Sequence, residues 1–384
     1  MDYIICHYSE IGLKGSNRGF FEKKLVSNIK KAIPENSFSK VKRPSGRIVV
    51  SLTDEADKKI LKKKMKKVFG LAYFCFAKKA KSDLKDIERE TLKFLDEISF
   101  EPNSFRVTTT RADKSFKYTS PEISRKIGAA INKRFNWKVD LEDYDLNLFL
   151  EITKKGAFIY SEKIRGDGGL PVSSSGKGAL LLSGGIDSPV AGLKMMKRGL
   201  ALDFVHFHAY PLVSNDSIKK AEDLFDILKG YCPEGKLFLI AFAEIQKKIR
   251  TTIPEKYRII FYRRAMLKIA EEIADSRNAD TLVTGESLGQ VSSQTLPNMR
   301  VTEEAVDLPV LRPLVGENKE EIIVSAKKYE TYEISILPDQ DCCTLFNPRR
   351  PETKADLKKV LKLEKELPLG ELIESAIENM RVLT

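Results

Sequence analysis

Ala179-Leu180-Leu181-Leu182-Ser183-Gly184-Gly185-Ile186-Asp187-Ser188-Pro189-Val190-Ala191 decides how the rear half of this chain folds and what it holds. Ala179 to Leu182 form a short apolar run of the fully buried strand type. The two glycines let the backbone approach an anion closely. Pro189 suits the first turn of a helix, here expected to reach Lys197, whose positive end faces back toward the loop. Ser183 and Ser188 add hydroxyl donors, so the whole predicts a phosphate cradle. It is neither a Walker A loop, which needs Gly-Lys-Ser/Thr, nor Gly-x-Gly-x-x-Gly. Ser175-Gly176-Lys177-Gly178 has the composition of a phosphate loop but precedes the strand, which is the wrong context.

Downstream, strands at Phe204–Phe207, Leu237–Phe242 and Thr281–Thr284 alternate with helices at Ile218–Leu228 and Lys256–Ser276. That alternation predicts an α/β fold with a doubly wound parallel sheet, which binds ligands at the carboxyl ends of its strands. Upstream, the glycine- and serine-rich stretch 166–176 reads as a linker. The front half reads as α+β, with strands at Arg47–Leu52 and Phe105–Thr110. Thr119-Ser120-Pro121-Glu122 announces a helix to about Phe135, with a capping box between Thr119 and Glu122.

The 384 residues carry a net charge of +12. Residues 1–165 hold 36 Lys+Arg against 22 Asp+Glu, and the remainder 30 against 32, so the basic excess lies wholly in the front half. A one-sided excess suits a polyanion-binding module. The lysine run from Lys58 to Lys67 by itself fits a solvated helix face as well. No signal peptide or apolar run of membrane length is visible, so a cytoplasmic protein is expected. Five scattered cysteines exclude a disulfide framework, and three histidines leave little room for a histidine-rich metal site.

Ser183-Gly184-Gly185-Ile186-Asp187-Ser188 resembles the PP-loop of ATP-pyrophosphatases, enzymes that adenylylate a carbonyl oxygen and expel pyrophosphate. Further stretches are similar to the tRNA 4-thiouridine synthetases: residues 8–18, 111–121, 168–172, 206–211, 284–296 and Arg312-Pro313-Leu314. The similarity runs from residue 3 to about 355. It implies a ferredoxin-like domain over 1–59, a THUMP RNA-binding domain over 60–165, a linker over 166–176 and a PP-loop catalytic domain over 177–384.

The resemblance implies thiolation of uridine 8 in tRNA, by adenylylation of O4 and attack of a persulfide sulfur. The alternative is a PP-loop enzyme of another tRNA thiolation or of amide formation. ATP and Mg2+ are the expected cofactors. Nucleotide contacts are expected from Leu182, Ser183, Gly184, Gly185, Asp187, Ser188, His206, Phe207, Gly285 and Gln294, with no metal ligand assigned. Asp187, Lys319 and Cys343 are the expected catalytic residues: Asp187 for the phosphates or their metal, Lys319 for the charge on pyrophosphate, Cys343 for sulfur with Cys342 as neighbour. The family usually has aspartate where Asn318 stands, which removes a carboxylate but leaves Lys319.

Lys114, Lys117, Arg125, Lys126, Lys133 and Arg134 are the expected RNA contacts, while Arg263 and Arg264 are read as partners for carboxylates. Cys6 and Cys75 have apolar neighbours and read as core, Cys232 as a loop thiol. The rhodanese domain of some family members, with its second cysteine, is not seen before Thr384. Sulfur is therefore expected from a cysteine desulfurase, with sulfide or an iron-sulfur cluster as other routes. The resemblance also implies a homodimer.

Overall fold

The computed structural model describes residues 2–44, 46–338, 348 and 350–384. The chain falls into two compact units, 1–169 and 170–384. The front unit opens with β1 (Tyr3–His7), α1 (Arg18–Ala32), β2 (Phe38–Lys42), β3 (Ile48–Leu52), α2 (Lys58–Lys66) and β4 (Tyr73–Ala80). It continues with α3 (Leu84–Asp96), β5 (Ser104–Arg111), α4 (Ser120–Phe135), β6 (Lys138–Val139), β7 (Leu146–Thr153), β8 (Gly156–Tyr160) and β9 (Ile164–Arg165).

These strands form one nine-stranded sheet in the order β2-β3-β1-β4-β8-β7-β5-β6, with β9 on β4. β4 is shared: residues 73–77 pair antiparallel with β1, and residues 78–80 with β8. Two cores flank this seam. One gathers Ile4, Leu25, Ile29, Val50, Leu61 and Met65. The other gathers Ile87, Ile123, Ile127, Ile131 and Leu148.

The break expected at 59/60 falls inside α2. Leu61 and Met65, four apart on an otherwise lysine-rich helix, bury one face into the first core, so that module continues into β4. Asp57 caps the helix, its carboxylate accepting from the amides of Lys59 (2.7 Å) and Ile60 (3.1 Å).

The rear unit contains β10 (Lys177–Leu181), α5 (Asp187–Lys197), β11 (Ala201–His208), α6 (Asp216–Lys229), β12 (Leu237–Ala241), α7 (Ala243–Thr252), α8 (Arg258–Ser276) and β13 (Thr281–Val283). After these come α9 (Leu296–Glu303), β14 (Val310–Leu311), α10 (Lys319–Lys328), α11 (Tyr332–Ser335), α12 (Leu357–Glu364), α13 (Leu369–Glu378) and β15 (Arg381–Leu383). Its sheet runs β14-β13-β10-β11-β12-β15, parallel except for β15 at the edge. From β10 the chain first builds outward through β11 and β12, then returns to the other side as β13 and β14. The switch in direction opens a crevice beyond the carboxyl end of β10, where such sheets bind ligands.

The stretch read as a linker is hydrogen-bonded at both ends. The amides of Gly166 and Gly168 donate to Ala72 O (3.0 Å) and Leu71 O (2.8 Å), while Leu170 N donates to Lys197 O (2.9 Å) and Ser175 N to Gly199 O (3.0 Å). Gly166 lies so close to β4 that a Cβ there would stand 2.2 Å from Leu71 O. Cys6 and Cys75 are fully buried as expected; Cys232, read as a loop thiol, is also buried, its sulfur 3.8 Å from Leu202 O. Cys342 and Cys343 lie outside the described residues.

Candidate active site

The backbone leaving β10 closes on itself before α5 starts. Ser183 N donates to Ser188 Oγ (2.9 Å), which also lies 3.0 Å from Ser183 Oγ, and Gly185 N points at Ser183 Oγ (3.3 Å). The two serines thus brace the loop with its glycines at the helix's positive end. Gly285 packs flat on that helix start: a Cβ there would meet Ser188 N at 2.7 Å and Ser188 Cα at 2.8 Å. Neither neighbour is a side chain that could swing aside. Gly285→Ala is therefore expected to push the loop out of place and raise the KM for ATP by at least about tenfold. Steady-state kinetics over ATP concentration checks this, and an unchanged KM would contradict it.

Asp187, the first residue of α5, is where the described site residues converge. Lys319 Nζ lies 2.5 Å from its Oδ1, and Gln290 Nε2 donates to its Oδ2 at 2.9 Å. Lys319 stands at the start of α10. Asn318 caps that helix, its Oδ1 accepting from Glu321 N (3.0 Å) while Glu321 accepts from Asn318 N (2.9 Å). Asparagine serves this cap as well as aspartate would, so the departure from the family pattern leaves Lys319 in place. Gln290 does not stand out in the sequence, because its partner is 103 residues away.

The loop after β13 is held from beneath. Glu286 is buried and accepts from Thr284 Oγ1 (3.0 Å), from Arg312 Nε (2.6 Å) and from Arg263 Nη2. Burial alone would raise its pKa, but the two guanidinium charges outweigh that and keep the carboxyl below its ordinary range. Ser287 Oγ donates to Glu317 O (2.8 Å), joining the loop to the turn before Lys319. Arg264 is structural too, reaching Glu304 (2.9 Å) and Glu364 (2.7 Å) from a fully buried position.

The other expected nucleotide contacts lie deeper. Leu182, His206, Phe207 and Gln294 are all buried, and His206 Nδ1 sits 2.9 Å from Leu182 O. Burial, then the charges of His206 and Arg381, push the neighbouring His208 down to about 4. No cluster of three metal-ligating side chains occurs among the described residues. Asp187 still fits Mg2+, which is commonly held by one or two carboxylates together with substrate phosphates.

Both flanks of the segment that carries Cys342 and Cys343 are tied down. On the near side, Ser335 Oγ donates to Gly185 O (3.4 Å) and Lys220 Nζ to Leu337 O (2.6 Å). On the far side, buried Asn298 donates to Ser292 O (3.0 Å) and Glu352 O (2.7 Å), and accepts from Ala355 N (3.1 Å). The near-side anchors are the phosphate loop and α6; the far-side anchor is α9, whose Asn298 also reaches Ser292 in the loop after β13.

In the front unit, Arg111 Nη1 clasps the carbonyls of Phe116 (3.1 Å) and Tyr118 (2.8 Å), shaping the turn into α4. The predicted capping box is present. Lys117 and Lys126 share the Tyr118 ring (5.6 and 5.1 Å), with Lys114 and Arg125 also exposed near this end of the helix. Lys133 and Arg134 lie in the last turn instead, Arg134 facing Asp96 at 3.7 Å. The six expected RNA contacts are thus four around one helix start and two at its far end.

Residues 173–369 match the family described as thiamine biosynthesis protein, ThiI, and residues 3–75 its ferredoxin-like domain; residues 81–162 match the THUMP domain. The chain belongs to the ThiI family. A relative from Caldanaerobacter subterraneus subsp. tengcongensis, named a probable tRNA sulfurtransferase, is 43% identical over 99% of both chains. One from Coxiella burnetii with the same name is 41% identical, covering 99% of this chain and 98% of its own. A crystal structure of a 4-thiouridine synthetase in complex with RNA and bound ATP superposes with a TM-score of 0.90 at 37% identity, covering 100% of this chain and 99% of that one.

Proposed function

We propose that this protein is a tRNA sulfurtransferase that converts uridine 8 of tRNA to 4-thiouridine at the expense of ATP. The observation that carries the reading is the meeting of Asp187, Lys319 and Gln290 at the braced PP-loop, in a chain related end to end to proteins named for this activity. The loop amides and the N-terminus of α5 receive the phosphates of ATP, and Lys319 offsets the charge that builds on pyrophosphate. Mg2+, when bound, supplies further neutralisation of that charge from Asp187. Uridine O4 attacks the α-phosphorus, so that AMP on O4 makes the C4 position open to displacement. Uridine 8 lies within the folded tRNA and has to be exposed first.

The sulfur nucleophile is a persulfide on Cys343, loaded by a cysteine desulfurase. Its terminal sulfur attacks C4 and AMP departs; a thiol then cleaves the S–S bond and leaves a disulfide on Cys343. Burial raises the pKa of Cys6, Cys75 and Cys232 and keeps them as inert thiols, which leaves Cys342 and Cys343; the family resemblance favours Cys343. The reaction places the protein with tRNA in the cytoplasm, and the family resemblance favours a homodimer.

Incubation with unmodified tRNA, ATP, Mg2+, a cysteine desulfurase and cysteine, followed by digestion and mass spectrometry, should yield 4-thiouridine at position 8. Failure with both desulfurase and sulfide as donors would overturn the proposal. For the RNA contacts, Lys114→Ala, Lys117→Ala and Lys126→Ala together should weaken tRNA binding and flatten its salt dependence, by roughly 0.7 to 0.9 in log-log slope for each phosphate that is no longer neutralised. Filter binding over a salt series reads that slope, and an unchanged slope would exclude this helix end from the RNA interface.

A further inference from the structure

A groove follows the seam of the front unit. It comprises a cavity of about 640 Å3 and another of about 290 Å3, which share Arg47 and Ala112. Lys42, Arg43, Arg47, Lys79, Lys154 and Lys155 line the larger cavity, with Tyr3 and Phe158 as aromatic surface, and Arg111 and Lys163 add positive charge to the smaller. Glu151 is the one carboxylate lining either cavity among the described residues, and it is buried. An anion inside a basic groove opposes the binding of RNA by charge alone, so its place calls for another reason.

The partners of Glu151 supply that reason. It stands on β7, in the THUMP part of the sheet, while both groups it faces come from across the seam. Its Oε1 pairs with Arg47 Nη1, and its Oε2 lies 3.3 Å from His7 Nε2. His7 in turn stacks on Tyr73 of β4, with ring centroids 4.3 Å apart and planes 13° from parallel. Arg47, itself nearly buried, therefore stands at the junction of the two cavities with its guanidinium held by a carboxylate from the other module.

We propose that Glu151 is a positioning residue for tRNA: its ion pair holds Arg47 across the seam, so that the groove presents this guanidinium in one place. This rests on the reading of the front unit as a tRNA-binding module. The expected effect opposes simple electrostatics in sign. Removing the negative charge should strengthen attraction to any polyanion, whereas releasing Arg47 should cost the fit to a structured tRNA.

The test measures Kd of the full-length protein and its Glu151→Gln variant for tRNA and for an unstructured oligouridylate, at matched salt. The expected result is tRNA binding weakened at least about tenfold with oligouridylate binding unchanged or tighter, so that the ratio between them falls. Because Glu151→Gln removes a buried charge and could unsettle the fold, Arg47→Met and the double variant complete a cycle. Glu151→Gln should add little once Arg47 is gone. Parallel tightening for both RNAs, or additive effects in the cycle, would overturn the positioning role. Lys42→Ala with Lys154→Ala and Lys155→Ala separates the two levels. If that triple variant weakens tRNA binding while Glu151→Gln does not, only the positioning role fails; if neither has an effect, the groove's part in tRNA binding fails with it.

Discussion

Lys319→Ala is expected to lower the rate of 4-thiouridine formation by roughly a hundredfold to a thousandfold, the cost of removing one preorganised donor from charge that develops in a transition state. The ammonium rests 2.5 Å from Asp187 Oδ1, a contact between two partly exposed side chains. Pairs of that kind contribute about 0 to 1 kcal/mol to stability, so the melting temperature should hardly move. The combination separates a catalytic role from a structural one. Lys319→Arg should recover part of the rate, because the charge survives while the donor geometry changes. Thiouridine assays alongside thermal denaturation decide the matter; a rate within a few-fold of wild type would remove Lys319 from the chemistry.

Asp187 and Lys319 are legible in the sequence for different reasons. Asp187 belongs to a local pattern, a strand, glycine turn and helix whose residues are adjacent in the chain. Lys319 is reachable through family resemblance alone, since nothing local ties it to a loop 132 residues earlier. Gln290 lies in the stretch 284–296 that carries the resemblance but is not singled out there, and its contact with Asp187 emerges from the fold. The alternating strands and helices of the rear unit are legible because each strand is a short apolar run. The front sheet is not, because β4 changes partner midway from β1 to β8 and β5 pairs in parallel with β7. Such register depends on residues far apart in sequence, and the same is true of Glu151 meeting Arg47 and His7. Arg263 is a carboxylate partner as its sequence context suggests, although the depth of Glu286 beneath both arginines needs the structure.

Cys343→Ser is expected to abolish 4-thiouridine formation, by at least about a thousandfold, while leaving the tRNA-dependent release of pyrophosphate from ATP in place. The two half-reactions use different groups. In the proposed mechanism adenylylation draws on the PP-loop, Asp187 and Lys319 and not on a thiol, whereas serine cannot carry a sulfane sulfur. Adenylylated tRNA should therefore build up, to about one equivalent per active site when product release is slow. Asp187→Ala and Lys319→Ala should suppress both readouts together, so the pair of assays orders the residues along the reaction. Cys342→Ser provides the internal control: if Cys343 bears the persulfide, this variant keeps pyrophosphate release and retains thiouridine formation. Loss of thiouridine in Cys342→Ser with full activity in Cys343→Ser would move the sulfur to the neighbouring residue, and activity in the double variant would exclude both cysteines as the carrier. The anchors from Ser335 to Gly185 and from Asn298 to Glu352 bear on both cysteines alike, because they tie the flanks of the segment that carries them to the phosphate loop and to α9.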